Sequence, residues 1–204
     1  MTPVGALHEL VFGRRVRILV GHLAELIPRD ASVLDVGCGD GSIAAQLRRR
    51  RSDLSLRGID VLVRPQTQVP VDRFDGRTIP HADQSFDVVM FVDVLHHTDD
   101  PAVLLREATR VARQAVVIKD HNRDGFLSGL TLRFMDWVGN ARHGVVLPYN
   151  YWPGARWRET FATLGLHPVE NRSDLGLYGV PADWLFGRGL HFIALLSKTS
   201  PLDQ

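Results

Sequence analysis

The chain has 204 residues, with 24 Lys and Arg against 23 Asp and Glu, for a formal charge of +1. That length fits one domain of the usual ~100–200 residues, and with 45% hydrophobic and 23% charged residues it must be held by a core that buries roughly 70% of the unfolded surface. The near balance of charge argues against a polyelectrolyte binder, and the single cysteine, Cys38, excludes an intrachain disulfide framework and suits a reducing compartment.

A membrane span needs about 20 apolar residues. The stretch from Phe86 to Leu95 is broken by Asp87 and Asp93, and Phe192 to Leu196 is short. Near the N-terminus, Glu9, Arg14, Arg15 and Arg17 stand where a signal peptide needs an unbroken apolar run, so a soluble, cytoplasmic protein is expected. Leu7, Leu10, Val11, Ile18, Leu19, Leu23, Leu26 and Ile27 recur at helical spacing, which predicts a helix that stops by Ile27, before Pro28. Gly13 and Gly21 are placed to divide it in two, and Arg14, Arg15 and Arg17 read as a solvated face.

The period then changes. Ser32 to Gly37 reads as a buried strand ending in a glycine-rich turn, and residues 42–51 as a helix whose closing arginines, Arg48 to Arg51, complement its dipole. Leu54 to Asp60, Val71 to Phe74 and Ser85 to Phe91 read as three more strands. Asp100 caps a helix starting at Pro101, and Ala115 to Lys119 makes a fifth strand. Phe126 to Val138 and Trp157 to Leu164 read as helices around a loop from Asn140 to Pro153. Leu166 to Asn171 and Leu190 to Ser197 read as closing strands. Alternating strands and helices at this spacing mean a parallel sheet with right-handed crossovers.

The informative segment is Val33-Leu-Asp-Val-Gly-Cys-Gly-Asp-Gly-Ser42. A strand ending in Gly37, Gly39 and Gly41 lets the backbone turn sharply beside a ligand at the carboxyl end of the sheet. A dinucleotide fingerprint, Gly-x-Gly-x-x-Gly, would place its third glycine one position later. Asp35 and Asp40 would also repel a pyrophosphate held by helix amides, so the turn favours a ligand with cationic groups.

The segment resembles the first motif of the class I S-adenosylmethionine-dependent methyltransferases, in their small-molecule, type 11 branch. Gly58-Ile-Asp60 is similar to the acidic end of that family's second strand, Asp75-Gly-Arg-Thr-Ile-Pro80 to its adenine segment, and Asp83 to His97, ending Leu-His-His, to its fourth-strand signature. The resemblance covers residues 32–119. It implies S-adenosyl-L-methionine as cofactor, with Asp35, Gly37, Cys38, Gly39 and Gly41 around the methionine end. It implies Asp60 at the ribose, Val61, Asp75 and Gly76 at the adenine, and Val92 and Asp93 on the methionine side. It implies an α/β, Rossmann-like three-layer sandwich, with a seven-stranded, mostly parallel sheet, one antiparallel strand and a closing hairpin at one edge. One departure stands out. Residues 61–70 contain Pro65 and Pro70 where the family carries a crossover helix, so a loop and a more open adenine pocket are expected.

Methyl transfer from a sulfonium is an in-line displacement with an activated leaving group, so alignment matters more than a base. His96, after the fourth strand, and Asp120 and His121, after the fifth, are the candidates for acting on the acceptor. The same residues are ligand types, but with one cysteine and scattered histidines no metal is expected. A single domain over residues 1–204 is expected: an N-terminal helical segment (1–28), a cofactor half (32–119), an inserted substrate-facing region (121–157) and closing elements (157–198). In the inserted region Trp137, Arg142, His143, Gly144, Tyr151 and Trp152 would contact a small-molecule acceptor or cover the sheet. Val92-Asp-Val-Leu replaces the element of amino-methylating nucleic-acid enzymes, which disfavours a nucleic-acid acceptor. A non-catalytic binder keeping the fold, and an NAD-dependent oxidoreductase, are the alternatives.

Overall fold

The computed structural model describes residues 3–140, 148–180, 182–187 and 189–199, with side chains described from Gly13 onward and not at 139–140. Leu7, Leu10 and Val11 therefore lie outside the described side chains, and Arg142, His143 and Gly144 outside the described residues. Seven strands, β1 (Ser32–Val36), β2 (Ser55–Asp60), β3 (Val71–Arg73), β4 (Phe86–Val92), β5 (Ala112–His121), β6 (His167–Arg172) and β7 (His191–Ser197), form one sheet in the order β3-β2-β1-β4-β5-β7-β6. Strand β7 runs antiparallel to both β5 and β6, and the remaining pairs are parallel. This is the expected Rossmann-like arrangement, with the closing hairpin at one edge.

Successive side chains of a strand face opposite sides, and both sides are buried here. Leu34, Val89, Phe91, Val116 and Ile118 face α3 (Pro101–Val111) and α5 (Gly154–Thr163) in one core. Val33, Val88, Met90 and Val117 face α1 (Pro3–Leu26) and α2 (Ser42–Arg50) in the other. The β1–β4 pairing is pinned at its start. The Asp87 carboxylate accepts from the Ser32 amide (2.9 Å) and hydroxyl (2.6 Å), while the Asp87 amide donates to Ser32 Oγ (2.9 Å).

Helix α1 is continuous, so Gly13 and Gly21 do not divide it. An interior glycine costs about 1 kcal/mol relative to alanine, less than the burial of Leu19, Leu23 and Leu26 returns. Its carboxyl end is closed from outside. The Arg51 guanidinium donates to the carbonyls of Ala24 (2.7 Å), Ile27 (3.0 Å) and Pro28 (3.0 Å), and pairs with Asp53. Residues 61–70 hold no helix, as their length and prolines implied. Strand β5 runs longer than expected at both ends, and α4 (Ser128–Asn140) and α6 (Ala182–Phe186) complete the helices. Tyr151 and Trp152 are buried, Trp152 packing on Trp157, whereas Trp137 is exposed.

Candidate functional site

The carboxyl ends of β1, β2 and β4 surround a cavity of about 430 Å³, lined on one side by Gly37, Asp60, Val61, Asp75 and Gly76. His97, Thr98, Asp99, Asp100 and Pro148 line the other. The chain reverses after β1 through three left-handed glycines, with φ 73° at Gly37, 61° at Gly39 and 76° at Gly41. At Gly37 a Cβ would also sit 2.6 Å from the Val94 side chain, so neither the backbone angle nor the space admits one.

Asp60 ends β2 beside this turn. Its Oδ2 accepts the Gly39 N–H at 2.8 Å and its Oδ1 the Leu62 N–H at 2.8 Å, which fixes the carboxylate plane at the cavity wall. Asp75 Oδ1 accepts the N–H groups of Arg77 (2.8 Å) and Thr78 (2.7 Å). These bonds, Thr78 first, hold its acidity below the ordinary carboxylate value. Asp35 is buried at the end of β1, and burial reinforced by the charge of Asp60 raises it to about 7. Cys38 lies against Gly58, and burial pushes its thiol up, which opposes the thiolate a nucleophile needs. Val61 is half exposed in the loop that replaces the crossover helix.

Val92 and Asp93 close β4. Asp93 has φ 58°, and its amide donates to the Lys119 carbonyl at 2.8 Å. Its carboxylate is bound by both Arg15 and Lys119. Arg15 is thus no part of a solvated face: α1 packs over the sheet where Asp93 emerges and carries the guanidinium to it. Lys119 is fully buried because it shares a strand face with Val117, and Asp93 and His191 Nδ1 (3.2 Å) receive its ammonium. Burial opposes the charge of Asp93, yet the two cations hold it well below its ordinary value.

The three acceptor-side candidates meet. Asp120 Oδ1 lies 2.7 Å from His96 Nδ1 and accepts the His121 N–H at 2.7 Å, while Oδ2 accepts the Leu95 N–H at 3.0 Å. His121 Nδ1 is 3.3 Å from His96 Nδ1, and its ring crosses that of His96 edge-on. Burial works against the His96 cation, but Asp120 and then Asp136 overcome it and raise His96 to about 10. Burial, then the charges of Lys119 and His96, push His121 down to about 4. One imidazolium and one neutral imidazole therefore stand side by side. Asp136 and Tyr151, from the inserted region, and His191 surround them. Asp136 Oδ1 sits 3.6 Å from His96 Nε2 and its Oδ2 accepts from the Tyr151 hydroxyl at 2.8 Å. His191, directly opposite His121 across β5 and β7, borders a second cavity of about 320 Å³ reaching to Leu175 and Trp184. Strand alternation places Lys119, His121 and His191, but a side chain arriving from α1 or α4 has no local signal.

The methyltransferase domain family matches residues 9–171, and the chain belongs to it. With that family comes the class I, S-adenosylmethionine-dependent assignment that the glycine turn implied. Over 110 residues the chain is 30% identical to the 27-O-demethylrifamycin SV methyltransferase of Amycolatopsis mediterranei, a match covering 47% of this chain and 40% of that protein. Over 95 residues it is 35% identical to the methyltransferase GfsG of Streptomyces halstedii, covering 40% of this chain and 34% of the relative. The matches thus span well under half the length of these relatives. In fold, the chain is similar to a methyltransferase structure from Haloferax volcanii that includes the Trm112 methyltransferase activator. The TM-score is 0.67 at 17% identity, over 96% of each chain.

Proposed function

We propose that the protein transfers a methyl group from S-adenosylmethionine to a small-molecule acceptor. The observation that carries this reading is the pinned Asp60 carboxylate on an acidic cavity. Each of its oxygens takes one backbone N–H and keeps lone-pair capacity for a second donor, which suits a ribose diol. Among the described residues, Asp60, Asp75, Asp99 and Asp100 line the cavity against one cation, Arg77, so this lining fits a cationic nucleoside and disfavours a pyrophosphate. S-adenosylmethionine supplies an activated methyl whose sulfonium departs as a neutral thioether.

The chain's own residues then divide the work. Asp35 and the turn at Gly37, Gly39 and Gly41 hold the ammonium-bearing end, Asp60 the ribose, and Asp75 the adenine amino group. His121, neutral and seated between His96 and His191, accepts or orients the proton of the acceptor. Asp120 fixes both His96 and the His121 backbone. The small-molecule relatives support an acceptor of that size, and the 320 Å³ cavity beside His191 supplies room for one.

Calorimetric titration tests the reading. S-adenosylmethionine and S-adenosylhomocysteine bind the wild-type protein, and Asp60→Ala loses at least about tenfold, or ~1.4 kcal/mol. No heat with either compound, together with uptake of a nicotinamide dinucleotide, would overturn it.

A further inference from the structure

We infer that His96, Asp120 and His121 form a binding site for a divalent transition-metal ion of the zinc or cobalt kind. These ligand types are scattered along the chain, His96 and Asp120 lying 24 positions apart; the adjacent ends of β4 and β5 bring them together. His96 Nδ1, Asp120 Oδ1 and His121 Nδ1 make a triangle with sides of 2.7, 3.3 and 3.4 Å. Ligands about 2.0–2.1 Å from a tetrahedral metal are about 3.3 Å apart, so the ion would replace the His96–Asp120 hydrogen bond, the shortest side, opening it slightly and releasing the His96 Nδ1 proton to solvent.

The composition fits as well. Two imidazoles and one carboxylate suit a borderline-soft ion, and three protein ligands leave a coordination position open, as in sites that act on a substrate. Ligating histidines are usually oriented through their second nitrogen by a carboxylate. Here Asp136 stands 3.6 Å from His96 Nε2 and is itself held by Tyr151. The ligating carboxylate is fixed too, since Asp120 Oδ2 accepts the Leu95 N–H. All three ligands are buried, which shields the ion from competing water. Asp93 Oδ1 lies 3.8 Å from His121 Nδ1 but is committed to Arg15 and Lys119, and so stays outside the ligand set. A second group, His96 Nε2, His97 Nε2 and Asp136 Oδ1, is wider at 3.6 and 3.7 Å and shares His96.

The test uses the full chain stripped with a chelator and dialysed, then titrated with zinc by calorimetry and with cobalt by visible absorption. One zinc per chain and a tetrahedral cobalt spectrum are expected. His121→Ala and Asp120→Asn lower zinc affinity at least about 100-fold, and Asp136→Asn about tenfold. His97→Ala keeps wild-type zinc affinity. Circular dichroism and an S-adenosylmethionine titration on each variant separate lost metal from lost fold, and keep this inference distinct from the proposed activity. Wild-type protein that takes up no zinc, or zinc binding lost in His97→Ala and kept in His121→Ala, would overturn the assignment.

Discussion

Asp60 and Gly39 are joined by a 2.8 Å hydrogen bond from the glycine amide to the carboxylate, so the residue assigned to the ribose also braces the turn assigned to the methionine end. Substitution at Asp60 should therefore act on two parts of the cofactor. Asp60→Asn keeps one acceptor oxygen and should retain part of the binding that Asp60→Ala loses. Titration of S-adenosylmethionine into both variants checks this. Equal losses would mean that one retained oxygen is not enough and that both carboxylate oxygens are needed.

Asp35 gives a pH signature. Burial first, then the charge of Asp60, raise it to about 7 from an ordinary 3.8. The folded protein then keeps a proton that the unfolded chain has released, so this group favours folding at low pH, and that contribution is lost as pH rises from about 4 to about 7. A ligand ammonium favours the ionised carboxylate, so cofactor affinity should strengthen between roughly pH 6 and pH 8. Asp35→Asn should flatten that profile. An affinity independent of pH in the wild type would remove Asp35 from the ligand's charged end.

The glycine turn and Asp60 were legible because they are local: three glycines and a strand-end carboxylate keep their meaning wherever the chain goes. The missing crossover helix was legible for the same reason, since residues 61–70 with two prolines cannot supply one. Arg15 was not. Its helix spacing describes a face of α1 but says nothing of what that face meets, and Asp93 lies 78 residues away. The same holds for Asp136, which reaches His96 only because α4 packs against Tyr151 and Leu190, and for His191, which meets His121 through the antiparallel β5–β7 pairing. Gly13 and Gly21 misled, because helix propensity is a weak prior beside a buried leucine stripe.

His121 should matter for rate more than for cofactor binding. It is buried next to His96, outside the residues that line the 430 Å³ cavity, and in the metal-free protein its neutral ring has an accepting nitrogen. His121→Ala should lower single-turnover methyl transfer by about 100-fold with S-adenosylmethionine affinity little changed. Full activity in that variant would take His121 out of the mechanism. A parallel loss of cofactor affinity would instead make it a support of the binding site.

Arg51 offers a stability test remote from the cavity. Its guanidinium closes three carbonyls at the end of α1 and is held in place by Asp53, so it links the first helix to the helix that follows the glycine turn. Those carbonyls have no partner within α1, and a cation there also meets the negative end of the helix dipole. Arg51→Ala should lower stability by about 2 kcal/mol, read as a lower urea midpoint at unchanged slope. Arg51→Lys should recover only part of it, since one ammonium cannot span the fork that meets Ala24, Ile27 and Pro28 together. Because α1 also delivers Arg15 to Asp93, fraying from its carboxyl end should first show as faster amide exchange in residues 19–27. Wild-type stability in Arg51→Ala would show that burial of Leu19, Leu23 and Leu26 alone secures the helix.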